Sequence, residues 1–115
     1  MPIWKTTSIL ETPEITLNSW RIFEVSSDLW PKVTRHFVGY NSTDQEGRVS
    51  SEIITFDAAE SKGVTRSGRV YHLRGKHGFN SEAEYVWNYW KRDNKITHEI
   101  DVTSEVIQLI KKLFK

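Results

Sequence analysis

The chain contains no cysteine, one methionine, three prolines and six glycines among its 115 residues. The lack of cysteine excludes disulfides, thiolate metal sites and thiol nucleophiles, so any chemistry must come from other side chains. No apolar run approaches the roughly 18 residues that suggest a membrane span. The start, Met1-Pro2-Ile3-Trp4-Lys5, lacks the basic lead, apolar stretch and small-residue cleavage site of a secretory signal. A cytoplasmic protein without a membrane association is the expectation. No period of 20–50 residues recurs and no segment is of low complexity, which argues against solenoids and linker-joined modules.

What is present is aromatic and β-branched. Five Trp, four Tyr and five Phe, with 37% hydrophobic and 27% charged residues, exceed what a disordered chain carries and suit one domain over residues 1–115. The net charge of +1 hides an asymmetry: residues 62–79 hold Lys62, Arg66, Arg69, Arg74 and Lys76 with no acid, leaving the remainder of the chain acidic.

Residues 1–14 show no clear period and read as an arm or short strand. Residues 15–25 are rich in β-branched and aromatic types, and Pro31 breaks the pattern. Residues 33–40 alternate, and 41–47 form a polar connection; Asn41-Ser42-Thr43 matches a glycosylation sequon but is most simply a loop. Residues 48–56 read as one further strand, and Ser67-Gly68 supplies a tight turn between 64–66 and 69–73. The period then changes. Asn80 or Ser81 caps a helix over residues 82–91 with Ala83, Val86, Trp87 and Trp90 on one stripe. Residues 96–102 alternate again, with His98 on the apolar side, and Thr103 caps a last helix over 104–114. The predicted architecture is α+β: an antiparallel meander of five to six strands with two helices packed on one face.

Arg48-Val49-Ser50-Ser51 with Ile54, Phe56 and Asp57, the run from Gly63 through Thr65-Arg66-Ser67-Gly68-Arg69-Val70-Tyr71, and Ala83-Glu84-Tyr85-Val86-Trp87 together resemble a pattern in small bacterial proteins of the accessory-gene type. The pattern covers roughly residues 35–90, and the chain departs from it at Lys76-His77-Gly78, where a Pro-Gly turn would stand. The resemblance implies a bacterial, cytoplasmic origin and brings no activity with it.

Three kinds of site are legible. The basic segment, with Arg66, Arg69, Tyr71, His72, Arg74 and Lys76, combines guanidinium groups for phosphate with interleaved rings for stacking, and its ordinary alternative is a solvated hairpin paired with acids such as Glu52. Tyr85 and Tyr89, four residues apart on the first helix, and Ile107 and Phe114 on the last form a possible protein interface; the alternative is burial, for the tyrosines under an arm bearing Trp4. Thirdly, His36 or His72 beside Arg66 or Arg69 could serve an enzyme as base and anion clamp, which requires convergent geometry. No nucleophile elbow, P-loop, dinucleotide fingerprint or metal-ligand spacing occurs, so neither cofactor nor metal is expected. The function read from these features is a non-catalytic binding protein acting on another protein or a second copy of itself. Nucleic-acid or anion binding and a small hydrolase-like enzyme are the alternatives, and an aromatic-lined cleft for a small molecule is open to a curved sheet of this kind.

Overall fold

The computed structural model describes residues 10–113. Along the chain the elements are β1 (Glu14–Ser27), β2 (Thr34–Asn41), β3 (Glu46–Val49), β4 (Ile53–Asp57), β5 (Lys62–Thr65), β6 (Val70–Leu73), α1 (Ser81–Asp93), β7 (Ile96–Asp101) and α2 (Thr103–Leu113). The architecture is α+β with one mixed, mostly antiparallel sheet, in the order β3-β2-β1-β6-β5-β4, and β7 also pairs with β1.

The long strand β1 organises the sheet because it changes partner part-way along. Its first residues pair with β6 in parallel, Glu14 opposite Val70 through Leu17 opposite Leu73. From Asn18 onward it pairs antiparallel with β2, and Phe23 to Ser27 also pair antiparallel with β7. A register shift between Asn18 and Arg21 marks the change, and Ser19 there has φ 46, a left-handed conformation that bends a strand at a bulge. The parallel β1–β6 pair corrects the all-antiparallel meander expected from the short connections. Residues 48–56, expected as one strand, divide into β3 and β4. The break falls at Ser50, whose N–H donates to the Phe37 carbonyl while its hydroxyl accepts from the Phe37 N–H, both at 2.9 Å. Those bonds occupy Ser50 against β2, and the chain leaves for β5 only after it.

Adjacent strand residues point to opposite faces, and the core divides accordingly. Ile22 and Phe37 join Ile15, Leu17, Trp20, Tyr71, Val102 and Val106, whereas their neighbours Phe23 and Val38 join Val25, Ala83 and Trp87. Thus α1 packs through Ala83 and Trp87 on one side of β1–β2, and α2 packs through Val106 on the other. This replaces the expectation of both helices on one face. Ion pairs repeat the division: Arg21 reaches Glu84 of α1 at 2.6 Å, and Arg35 bridges Glu24 at 3.0 Å and Glu105 of α2 at 2.7 Å. The hydrogen bond to Glu105 is the leading reason that the Arg35 guanidinium holds its proton even more firmly than usual.

Local chemistry accounts for the element ends. The Asn80 side chain accepts from the Ala83 N–H at 3.0 Å, the N-cap expected for α1. The hydroxyl of Thr103, expected to cap α2, instead accepts from the Ile22 N–H at 2.9 Å, fastening the helix start to β1. Asn41 is buried, with its side chain bonded to Thr43 and Asp44, so the sequon match is a closed turn. His98, expected on a buried face, is exposed with most of β7, and Ile100 is 58% exposed. Among the described residues β7 is paired only along β1, and alternation in a strand of this kind marks two faces without saying that either is covered. No helix among the described residues is long and apolar enough to cross a membrane.

Candidate functional site

A cleft of about 390 Å³ opens on the α1 side of β2, lined by Trp30, Pro31, Lys32, Thr34, His36, Ser51, Glu52, Arg66, Trp90 and Asn94. Five parts of the chain build it. Strand β2 contributes Thr34 and His36, which alternation places on the same side as Val38. The turn after β1 brings Trp30 and Pro31, and it is tied to the end of α1: the Asp28 N–H donates to the Lys95 carbonyl, and the Ser27 hydroxyl donates to the Asn94 carbonyl. Asn94 closes α1, with its backbone and side-chain N–H groups both donating to the Trp90 carbonyl, at 3.0 and 2.9 Å. Finally, the β5–β6 turn docks on the β3–β4 link through Arg66 N–H to Glu52 carbonyl at 2.7 Å and Ser67 N–H to the Ser51 hydroxyl at 3.2 Å. Gly68 permits that turn with φ 90.

The wall of the cleft is aromatic. His36 lies 4.6 Å from Trp90 and 5.9 Å from Trp30 between ring centroids, and the two indoles are 5.8 Å apart. Trp90 in turn stacks on Trp87 and Trp87 on Phe23, so the wall is continuous with the core. At the rim, Glu52 pairs with Arg66 through its Nε at 3.1 Å and through Nη2, and with Lys32 at 3.6 Å. The hydrogen bond from Arg66 is the leading reason that the Glu52 carboxyl titrates below its ordinary range. The Glu52 side chain is 13% exposed, whereas Lys32 and Arg66 are 66% and 64% exposed. Both cations therefore keep hydrogen-bonding capacity toward solvent or a ligand.

His36 is buried and its two ring nitrogens are engaged internally. Nδ1 lies 2.9 Å from the Ser50 carbonyl, which can only accept, so Nδ1 carries the hydrogen and Nε2 accepts from the Thr34 hydroxyl at 2.7 Å. Burial is the leading cause that lowers its pKa, and the charge of Glu52 acts in the opposite direction. A depressed histidine pKa contributes stability above the unfolded value of 6.5 and loses it as pH falls through the folded value. Urea midpoints should therefore drop between about pH 7.5 and 5.5, with a shallower drop in His36→Gln. An identical slope in that variant would assign the sensitivity to another group.

Of the residues singled out from sequence, the cleft gathers His36 and Arg66, with Trp90 of the α1 stripe and with Glu52, the acid named as a partner for the basic segment and paired here with Arg66. Arg69, at 4% exposure, is buried and donates from Nε to the Thr12 carbonyl, and Tyr71 is in the core with its hydroxyl accepting from Arg48. His72 pairs with Glu14 at 2.6 Å beside a separate, open depression that includes Arg74. His36 and His72 stand on strands that are not neighbours, because β1 lies between β2 and β6. Arg74 and Lys76 are exposed in the loop before α1, so the basic segment presents a scattered set of cations and no continuous stripe. Ile107 packs against the core, Tyr85 and Tyr89 contact each other at 5.6 Å on the flank of α1, and Phe114 and the arm with Trp4 lie outside the described residues. Trp30, Lys32 and Thr34 were missed; the only signal was Trp30-Pro31-Lys32 itself, an aromatic and a cation placed in a turn. Among the described residues no group of three or more His, Cys, Asp or Glu could hold a metal ion.

The chain matches no protein-family model, no curated protein and no solved structure.

Proposed function

We propose that the chain is a non-catalytic binding protein that receives an apolar side chain of another protein in the Trp30–Trp90 cleft. The observation that supports this reading is the state of His36, the best candidate base in the cleft. Its Nδ1–H donates to the Ser50 carbonyl and its Nε2 accepts from the Thr34 hydroxyl, so both ring nitrogens are occupied within the protein and neither is turned toward a ligand. What remains open to a visitor is an aromatic wall with charge at one end, the composition of a recognition pocket. The bacterial, cytoplasmic setting implied by the sequence resemblance belongs to the same proposal.

The test is a titration of isotope-labelled protein with N-acetyl-phenylalanine amide, followed by the indole N–H signals of the tryptophans. Shifts of Trp30 and Trp90 that saturate and vanish in Trp30→Ala are the expected result. Shifts centred on Trp20, which packs on His77 away from the cleft, would defeat the reading, as would no shifts at all.

Self-association is a second mode of the same function, and exposed Leu109 and Leu113 on α2 favour it. Sedimentation should then show a concentration-dependent dimer that Leu109→Lys abolishes; a monomer at every concentration would end that mode. Nucleic-acid binding keeps Arg66, Arg74 and Lys76 but loses the buried Arg69 and Tyr71 as contacts, and is the weaker reading for that reason.

A further inference from the structure

We infer that the cleft selects an aromatic residue of a partner polypeptide that is followed by an acidic one. The inference rests on the reading of the cleft as a recognition site and adds the chemistry of its occupant. Three charged groups line the cleft, Lys32, Glu52 and Arg66, and the fourth titratable group, His36, is neutral near pH 7. The cleft thus carries an excess of one positive charge.

The distribution of that charge matters more than its sum. The Glu52 carboxylate is shielded and already engaged by two cations, so it offers little to an incoming ammonium. Lys32 and Arg66 are about two-thirds exposed, and with Nε and Nη2 of Arg66 on Glu52, its Nη1 hydrogens remain for an incoming carboxylate. The apolar wall of Trp30, Pro31 and Trp90 stands beside these donors and suits a ring, which can stack on an indole face. An aromatic cage for a quaternary ammonium uses similar rings, but here two rim cations would repel such a ligand. The volume of about 390 Å³ is near the lower end for ligand pockets, enough for a ring and its neighbour and too small for a large cofactor. A protruding polypeptide segment fits a site whose cations stand at the mouth, because the segment can bring its ring in and leave its carboxylate at the rim.

The test compares three probes on the native protein by the same indole signals: the amides of N-acetyl-Phe-Asp, N-acetyl-Phe-Lys and, as a free acid, phenylacetate. The aspartyl dipeptide should bind about tenfold more tightly than the lysyl one, with the difference shrinking as salt rises. It should shrink likewise in Lys32→Gln and Arg66→Gln, whose fold is checked by their unfolding midpoints. Equal affinities, or tighter binding of the lysyl dipeptide, would overturn the acidic preference while leaving the cleft as a recognition site if N-acetyl-phenylalanine amide still binds. Failure of that neutral amide as well would remove the recognition site itself. Phenylacetate binding more tightly than the aspartyl dipeptide would make the ligand a free aromatic acid and overturn the polypeptide.

Discussion

Replacing Trp87 with alanine is expected to lower folding stability by about 3–5 kcal/mol. The residue is 1% exposed and stacks on Phe23 at 4.7 Å and on Trp90 at 5.3 Å, so its removal leaves a cavity bounded by two rings. Its Nε1 also donates to Glu99 of β7 at 3.1 Å, linking the helix to the edge strand. Lys91 binds the other oxygen of the same carboxylate at 2.6 Å, and so keeps Glu99 from being left without a partner in the variant. The loss should therefore be dominated by packing. Urea unfolding followed by far-UV circular dichroism would measure it; a change below about 1 kcal/mol would mean that Trp90 and Phe23 close the gap. The same variant should weaken probe binding at the cleft, since Trp90 would lose the ring that backs it.

Gly47→Ala is expected to have an effect of comparable size from the opposite cause. A methyl group there would stand 2.3 Å from the Glu82 carbonyl oxygen and 2.6 Å from the Ala83 nitrogen, both backbone atoms in the first turn of α1. That turn is fixed by Asn80, so the helix must lift away from β3 or the strand must bend. Overpacking of this kind costs about 1–3 kcal/mol, and the upper end applies where backbone meets backbone. Gly75→Ala is the control: nothing lies within 4 Å, and the cost there is the left-handed backbone alone, about 1 kcal/mol. Unfolding midpoints of the two variants give the comparison. Equal midpoints would show that α1 yields easily at its N-terminus.

Most of the element order was legible in the sequence, because alternation and helical spacing are local signals. Asn80 and the stripe of Ala83, Val86, Trp87 and Trp90 specified α1; in the structure Ala83 and Trp87 are buried, Trp90 packs against them, and Val86 is half-buried. The parallel β1–β6 pair was not legible. Nothing local to Glu14 or Val70 records that the two lie side by side, and the bulge at Ser19 that allows it carries no distinctive residue. For the same reason Arg69 looked like surface: a cation in a polar turn reads as solvated unless one knows that the Thr12 carbonyl lies against it. The cleft was half legible. His36 and Arg66 were visible as chemistry, but their meeting depends on the β5–β6 turn reaching the β3–β4 link, a contact between residues far apart in the chain.

The division of β1 between partners also dictates when the molecule can finish folding. Its pairing with β2 can close early, since Val25 and Thr34 are near neighbours in sequence. Its pairing with β6 must wait for Val70, and its pairing with β7 for Asp101, after nearly all described residues have emerged. Pairings of such long reach are slow, because the entropy of closing the intervening loop is lost before the contact is made. Until then one edge of β1 is an unpaired strand bearing Ile15, Leu17 and Ile22, so the nascent chain has a period of vulnerability to mispairing that the finished sheet does not reveal.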